Sequence, residues 1–442
     1  MRHVVVMSIA GSLGLSFLFL IDFLAMFWVS QYDNEVWIAA VGFAFAIQFF
    51  PASMNVGMMI ATVALFARAL GAGEVDRARR IATGGILFGV ATQIAFSAVL
   101  WVSRYDLLAF SGATGEAQAV AADFLSVSLF GMPLMIAGMT MSAVVRATGD
   151  AVRSTLVTGL AALVALVVDP FNIIYLELGV TGAAMSVVIT RSVMTMLGIY
   201  FLFVTHRMAA RPRWSDLRSF APMWFAIAIP AIFTQCSTPF GNWILMRAMA
   251  DFGDSATAGL GVVLRLIVLV FGGIFALSGA IGGILGQNFG AGQLDRVAQA
   301  YKDALIYCVG YCLVAWGVLV MLSAPLSRGF GLSTEGAEVM HFFTHYLPPT
   351  LAFTGALYVA NAAFNNLDRP LMATLANWIR DGLVTFPLAF GLGAAFGVQG
   401  VLMGQGAAAI IVGTLGSWWG WRYVRSLRAR HKPTLDDHPP AA

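Results

Sequence analysis

Gly71-Ala72-Gly73-Glu74-Val75-Asp76-Arg77 recurs as Gly290-Ala291-Gly292-Gln293-Leu294-Asp295-Arg296, displaced by 219 residues. Each copy is a polar, glycine-broken loop between long apolar stretches, where a chain turns from one helix into the next. The same displacement sets Ala40-Val41-Gly42 on Gly259-Leu260-Gly261. It also sets Arg146-Ala147-Thr148-Gly149-Asp150 on Asn365-Asn366-Leu367-Asp368-Arg369. Val180-Thr181-Gly182 meets Val398-Gln399-Gly400 one residue out of step, at 218. Anchors so nearly in one register read as an internal duplication.

The composition says where the duplicated unit lives. Of 442 residues, 59% are hydrophobic and 11% charged, against about 45–50% and about 25% in soluble domains. A mean hydropathy of +0.83 requires most of the surface to face lipid. The net charge of +3 is too small and too scattered for a nucleic-acid footprint. Cys236, Cys308 and Cys312 make no disulfide framework in so long a chain and read as small buried hydrophobes. Nothing resembles a phosphate-cradling P-loop, which argues against direct ATP coupling.

A transmembrane helix needs roughly 20 apolar residues to cross about 30 Å of hydrocarbon. Twelve stretches qualify, near 4–30, 37–67, 81–103, 120–145, 154–176, 180–205, 219–250, 256–287, 299–323, 338–364, 371–396 and 398–426. The predicted fold is an all-α integral membrane protein of twelve transmembrane helices in two six-helix lobes. Residues 1–205 form one lobe, 206–218 a basic linker, 219–426 the second lobe, and 427–442 a disordered tail. Six spans per repeat run both copies in the same direction, so a pseudo-twofold axis along the membrane normal is expected, with a cavity between the lobes. The first stretch is too long for a signal peptide and lacks a small-residue cleavage site, so no cleavage is expected.

Charge sets the orientation. Alternate loops and the two ends gather 19 of the 25 Lys and Arg on one side, against Arg104, Arg247 and Arg328 on the other. The positive-inside rule then places both termini in the cytoplasm, and the expected location is the inner (plasma) membrane.

The loop motifs resemble those of the multidrug and toxic compound extrusion (MATE) family. The resemblance rests on GAG-x-x-D-R after the second span, R-A-T-G-D after the fourth, and Asp169-Pro170 followed by Gly182-Ala183-Ala184. Gly286-Gln287-Asn288-Phe289-Gly290-Ala291-Gly292 and Asn361-Ala362-Ala363-Phe364-Asn365 extend it into the second half. It implies two lobes set as a V around a central cavity, and export of organic compounds, often cationic, in exchange for protons or sodium. A flippase for lipid or polysaccharide precursors, a channel and a major-facilitator carrier are the competing readings. More helices or a strongly basic cavity would mark the first, and the two-lobed repeat with intramembrane carboxylates argues against the second. A major-facilitator carrier would show its own basic loop after the second helix, where GAG-x-x-D-R stands.

Ionisable residues within the bilayer cost at least a few kcal/mol each, so each one needs a reason. Asp22 lies about 18 residues into the first span and Asp169 about 15 into the fifth, which at 1.5 Å per residue gives a shared depth. Desolvation and a neighbouring carboxylate both raise a carboxyl pKa toward the working pH, the chemistry of proton coupling. Hydrogen bonding to a neighbouring helix is the plainer alternative for each, and Asp-Pro can also cap or break a helix. The resemblance assigns both residues to the family's first-lobe cation site. Its asparagine one turn earlier is Ala165 here, and its sixth-helix threonine corresponds to Val187 beside Ser186. Two neutral oxygens are therefore missing, which favours a proton over sodium. Met7 stands where the family often has a proline. Neither the seventh nor the tenth span carries a carboxylate, and Gly241 occupies the register of Asp22, as expected of the DinF-type branch.

Gln48, Asn55, Arg191, Gln235, Asn242, Arg265, Gln287 and Asn361 are candidates for lining the cavity, although interhelical hydrogen bonding explains such residues equally well. Arg380 and Asp381 are expected to neutralise each other. His341 and His345 share a helix face, yet only Glu338 accompanies them, so no metal site is expected. The implied partners are a small organic substrate and membrane lipid, with no nucleic acid and no cofactor beyond the coupling ion. The chain is expected to act as a monomer.

Overall fold

A computed structural model describes residues 35–329 and 333–430, together with scattered positions between 5 and 32. Every described position from Val5 to Val29 is helical. The continuous helices are α1 (Glu35–Gly71), α2 (Val75–Val102), α3 (Arg104–Phe110), α4 (Gly115–Ser128), α5 (Gly131–Ala147), α6 (Ala151–Pro170) and α7 (Gly179–Ile199). They continue as α8 (Trp214–Ala250), α9 (Asp254–Val270), α10 (Gly272–Gly290), α11 (Leu294–Gly329), α12 (Thr334–Tyr346), α13 (Leu351–Asn366), α14 (Pro370–Trp378) and α15 (Thr385–Arg430). Short π-helical turns extend α6, α7 and α14. No strand occurs among the described residues.

These helices resolve into the twelve expected spans. Among the described residues, seven helices are long and apolar enough to cross a membrane by themselves. Two bent pairs, α4 with α5 at 47° and α9 with α10 at 48°, make one span each. α15 is two arms, broken at Gly397 (φ 64°, ψ −146°), with Gly400 and Gly404 packed back on Leu392 and Ala389. α12 and α13 form another span across the 3-10 turn Pro348–Thr350, and the described helical positions between Val5 and Val29 fall within the first predicted stretch. The bend between α4 and α5 at Leu129-Phe130 lies in register with Pro348-Pro349. Only the second copy has the prolines that remove helix hydrogen bonds there.

The backbone repeats with the sequence. Gly73 and Gly292 have φ 78° and 69°, Gly149 and Asp368 have φ 102° and 67°, and Gly179 and Gly397 have φ 52° and 64°. Three turns of each half are thus left-handed at equivalent places, where glycine or a short aspartate side chain is tolerated.

Each half buries its own apolar core. Val157, Ala161, Ala165, Ile173 and Val187 of the first lobe pack with Ile21, Ala25 and Val29, which ties the first segment to α6 and α7. The second lobe has its own core around Leu245, Leu260, Phe343 and Val401. A further cluster joins the lobes, with Phe66, Ile81 and Val144 of the first packed on Phe220, Trp224 and Ile227 of α8. Helix α8 begins at Trp214, so the last residues of the expected linker 206–218 are already helical. That early start lets α8 lie against α2, where Phe88 meets Phe220 and Trp224 at ring separations of 5.9 and 5.6 Å.

Candidate translocation site and the seam between the lobes

Asp169 sits in the last turn of α6, just before Pro170, and is 1% exposed. Proline at this point passes the chain into the π-helical turn Phe171–Tyr175, which re-aims the following side chains. Asn172 Nδ2 donates to Ser186 Oγ at 3.0 Å, and Ser186 Oγ to the Val168 carbonyl at 3.3 Å. These hydrogen bonds fasten α6 to α7 beside the carboxylate. Ala165 and Val187 are buried among apolar side chains. Asn172 supplies a polar side chain beyond the residues that the sequence points to. Its only signal was its place three residues after Asp169. Asp22 lies outside the described residues, although Ile21 beside it packs into the core that contains Ala165.

Three of the lobe's polar side chains meet in a buried cluster. Gln48 Nε2 of α1 donates to Ser128 Oγ of α4 at 2.5 Å. Arg191 of α7 donates to the Ser128 carbonyl at 3.4 Å and to Gln48 Oε1 at 3.5 Å. Arg191 is 7% exposed, and Gly131 at the bend between α4 and α5 leaves room for its Cδ. Asn55 lies two turns beyond Gln48, fully buried, with both amide atoms lacking a hydrogen-bond partner among the described residues.

In the second lobe Gln235 and Asn242 are half-buried on α8, and Asn361 is buried on α13. The Arg265 side chain lies outside the described residues. Arg380 and Asp381 form a buried two-pronged ion pair at 2.7 and 2.9 Å, with the guanidinium 5.6 Å from the Tyr358 ring centre. Asp381 packs against Gly241, the position in register with Asp22. Where the first lobe's sequence sets an aspartate, the second therefore has an internally neutralised pair one helix away.

His341 and His345 stack at 3.9 Å, and no cluster of three metal-ligating side chains occurs among the described residues. A groove of about 700 Å³ runs beside them between α12 and α15, lined by Glu338, His341, Tyr346, Gln399 and Met403 among others. All its lining residues belong to the second lobe.

Gln287 has a different place from the buried polar residues. It ends α10 at the seam and donates through Nε2 to the Ala147 carbonyl of the first lobe. The seam begins deeper, where Gly57 of α1 packs on Ile232 of α8 and Trp224 Nε1 donates to Thr62 Oγ1 at 2.9 Å. It closes at the basic loops, where Ala67 meets Gly286, and Gly71 and Gly290 meet the facing backbones of Gln287 and Arg68. The lobes thus converge at the end that carries the basic loops, which is the closed end of a V.

Comparison with known proteins agrees with this architecture. The MatE family model matches residues 12–171 and 230–391, once in each lobe. The FAD transporter of Shewanella oneidensis is 25% identical over 437 residues, covering 97% of this chain and 96% of that protein. The multidrug export protein MepA of Staphylococcus aureus is 26% identical over 356 residues, covering 76% and 74%. The probable multidrug resistance protein NorM of Thermotoga maritima is 24% identical over 369 residues, covering 81% and 78%. Among solved structures, the Vibrio cholerae MATE transporter VcmN in its bent form superposes with a TM-score of 0.90 at 21% identity, covering 98% of each chain. The duplicated spans, the convergent seam and a family match in both lobes lead to one conclusion: the chain is a multi-pass membrane transporter, not an enzyme, and belongs to the MATE family.

Proposed function

We propose that this transporter is an antiporter of the DinF-type branch, exporting organic and xenobiotic compounds in exchange for protons, with both termini cytoplasmic in the inner membrane. The observation that carries the proton assignment is Asp169, buried in the first lobe with apolar Ala165 and Val187 near it, while the neighbouring Asn172 and Ser186 side chains are engaged with each other and with the Val168 carbonyl. Sodium needs several oxygens around it, whereas a proton needs one carboxylate whose charged form is disfavoured by burial. Protonation at Asp22 and Asp169 favours release of cargo, and cargo binding favours the deprotonated state. Exchange is coupled because each ligand has different affinities for the two conformations. Relatives named for multidrug export and multidrug resistance support the cargo class.

The test is transport in inverted vesicles under a proton gradient, comparing wild type with Asp22→Asn and Asp169→Asn, with and without sodium. The expected result is proton-driven uptake by wild type, at least tenfold slower in either variant, and indifferent to sodium. Normal exchange by both variants would overturn the coupling assignment.

A second cargo has one specific observation in its favour. The FAD transporter matches essentially the whole of both chains, which makes a phosphate-bearing flavin nucleotide the alternative substrate. Competition of FAD with a cationic dye in the same vesicles separates the two.

A further inference from the structure

The duplication brings Arg68 and Gln287 into register, since both lie 219 residues apart at the ends of α1 and α10. Their helices cross where a Cβ on Gly71 would fall 1.9 Å from the Gln287 carbonyl oxygen. The reciprocal contact is the same: a Cβ on Gly290 would fall 2.0 Å from the Arg68 carbonyl oxygen. No residue larger than glycine fits at either crossing without moving a backbone. From this crossing each side chain reaches the opposite lobe. Arg68 extends to Asp368, in the loop between α13 and α14. Gln287 extends to the Ala147 carbonyl, at the C-terminal end of α5 where the equivalent loop begins.

We propose that these residues form a two-armed clasp, the Arg68–Asp368 and Gln287–Ala147 arms centred on Gly71 and Gly290, and that release of the clasp opens the basic-loop end. The inference rests on the reading of the chain as a carrier that opens alternately to its two sides, and adds which contacts hold one side shut. The arms are equivalent in place and unequal in chemistry. Gly149 occupies the register of Asp368, so the first lobe offers no carboxylate and Gln287 bonds a backbone carbonyl instead. The charged arm is partly open to solvent, with Arg68 15% and Asp368 64% exposed, and therefore weakens with added salt. The neutral arm does not. A clasp so built is tight enough to close one end and weak enough to release, because a half-exposed pair contributes at most about a kilocalorie, roughly fivefold in an equilibrium.

The test uses the full chain in lipid nanodiscs with spin labels at Glu74→Cys, just before α2, and Arg296→Cys, in the first turn of α11, exposed positions flanking the clasp in the two lobes. Distances are measured by pulsed electron resonance without substrate or ion gradient, so they do not depend on what is exported or which ion drives it. Failure of wild-type transport would bear on the function, whereas an unresponsive distance would bear on the clasp. Arg68→Gln and Asp368→Asn should each raise the long-distance population relative to the short one about threefold to fivefold. Their combination should add nothing, because both remove one arm. Gln287→Leu should add to either. Gly71→Ala and Gly290→Ala should shift the ratio more than tenfold, while Gly310→Ala, with nothing within 4 Å of its Cβ position, leaves it unchanged. Raising salt should move wild type toward Arg68→Gln and leave Arg68→Gln where it is. Should the polar substitutions leave the distances and their salt response as in wild type, or should Gly71→Ala act no more than Gly310→Ala, the clasp is refuted.

Discussion

Arg380 and Asp381 show what a buried ion pair demands of its surroundings. Both are less than a tenth exposed, and their mutual bidentate geometry leaves neither charge alone in a low-dielectric core. Removing one partner strands the other. Arg380→Met is therefore expected to destabilise the protein by about 3–5 kcal/mol, whereas Arg380→Met with Asp381→Leu is expected to recover most of that loss. Thermal unfolding in one detergent measures both. Recovery by the double variant with normal transport would mark the pair as structural. Adjacency in sequence made this pairing legible, because the two side chains need no fold to find each other. The Gln48–Ser128–Arg191 cluster was not legible as a cluster, since its members come from α1, α4 and α7.

Helix α6 shows how an element's two ends serve different tasks. Its far end carries Asp169, and its near end is capped by Asp150, whose side chain accepts from the Arg153 backbone N–H at 2.9 Å. Burial acts to raise the Asp150 pKa, but the Arg153 amide and guanidinium and nearby His206 outweigh it and hold it below the usual carboxylate range. A depressed carboxylate stabilises the fold fully above its unfolded value, near about 4, and the contribution fades as pH falls through the lowered folded value. Wild type should thus lose thermal stability on acidification below about pH 4, and Asp150→Asn, lower at neutral pH, should show a flatter profile. Equal slopes would remove the cap from the account. The capped loop directly follows Ala147, whose carbonyl accepts from Gln287, so this helix start lies beside the seam.

At the scale of the whole molecule, stability is spent at the seam. Trp224 is fully buried between the lobes and donates to Thr62, whose hydroxyl also reaches the Met58 carbonyl at 3.1 Å. Trp224→Phe removes that donor and part of the ring, and should cost about 1–2 kcal/mol. Trp224→Ala should cost about 3–5 kcal/mol. In both variants proteolysis of the exposed stretch before α8 should be faster than in wild type, and unchanged cleavage would mean the seam does not depend on this contact.

Span number, duplication and the asymmetry of basic loops were determined by the sequence alone. Each rests on local or periodic information: run length against bilayer thickness, repeated turn chemistry, and charge that stays out of lipid. Conformation and contact were decided only by the tertiary structure. Gln287 reads in the sequence as one more polar residue for a cavity, and the fold makes it one arm of the seam. Asp368 reads as a loop residue and becomes the partner of Arg68, 300 positions away. Which end of the V is closed likewise depends on how closely two glycine backbones approach, Gly71 and Gly290, and such an approach has no one-dimensional signature. A glycine in a helix looks the same in sequence whether its Cβ position is open, as at Gly310, or packs on another backbone.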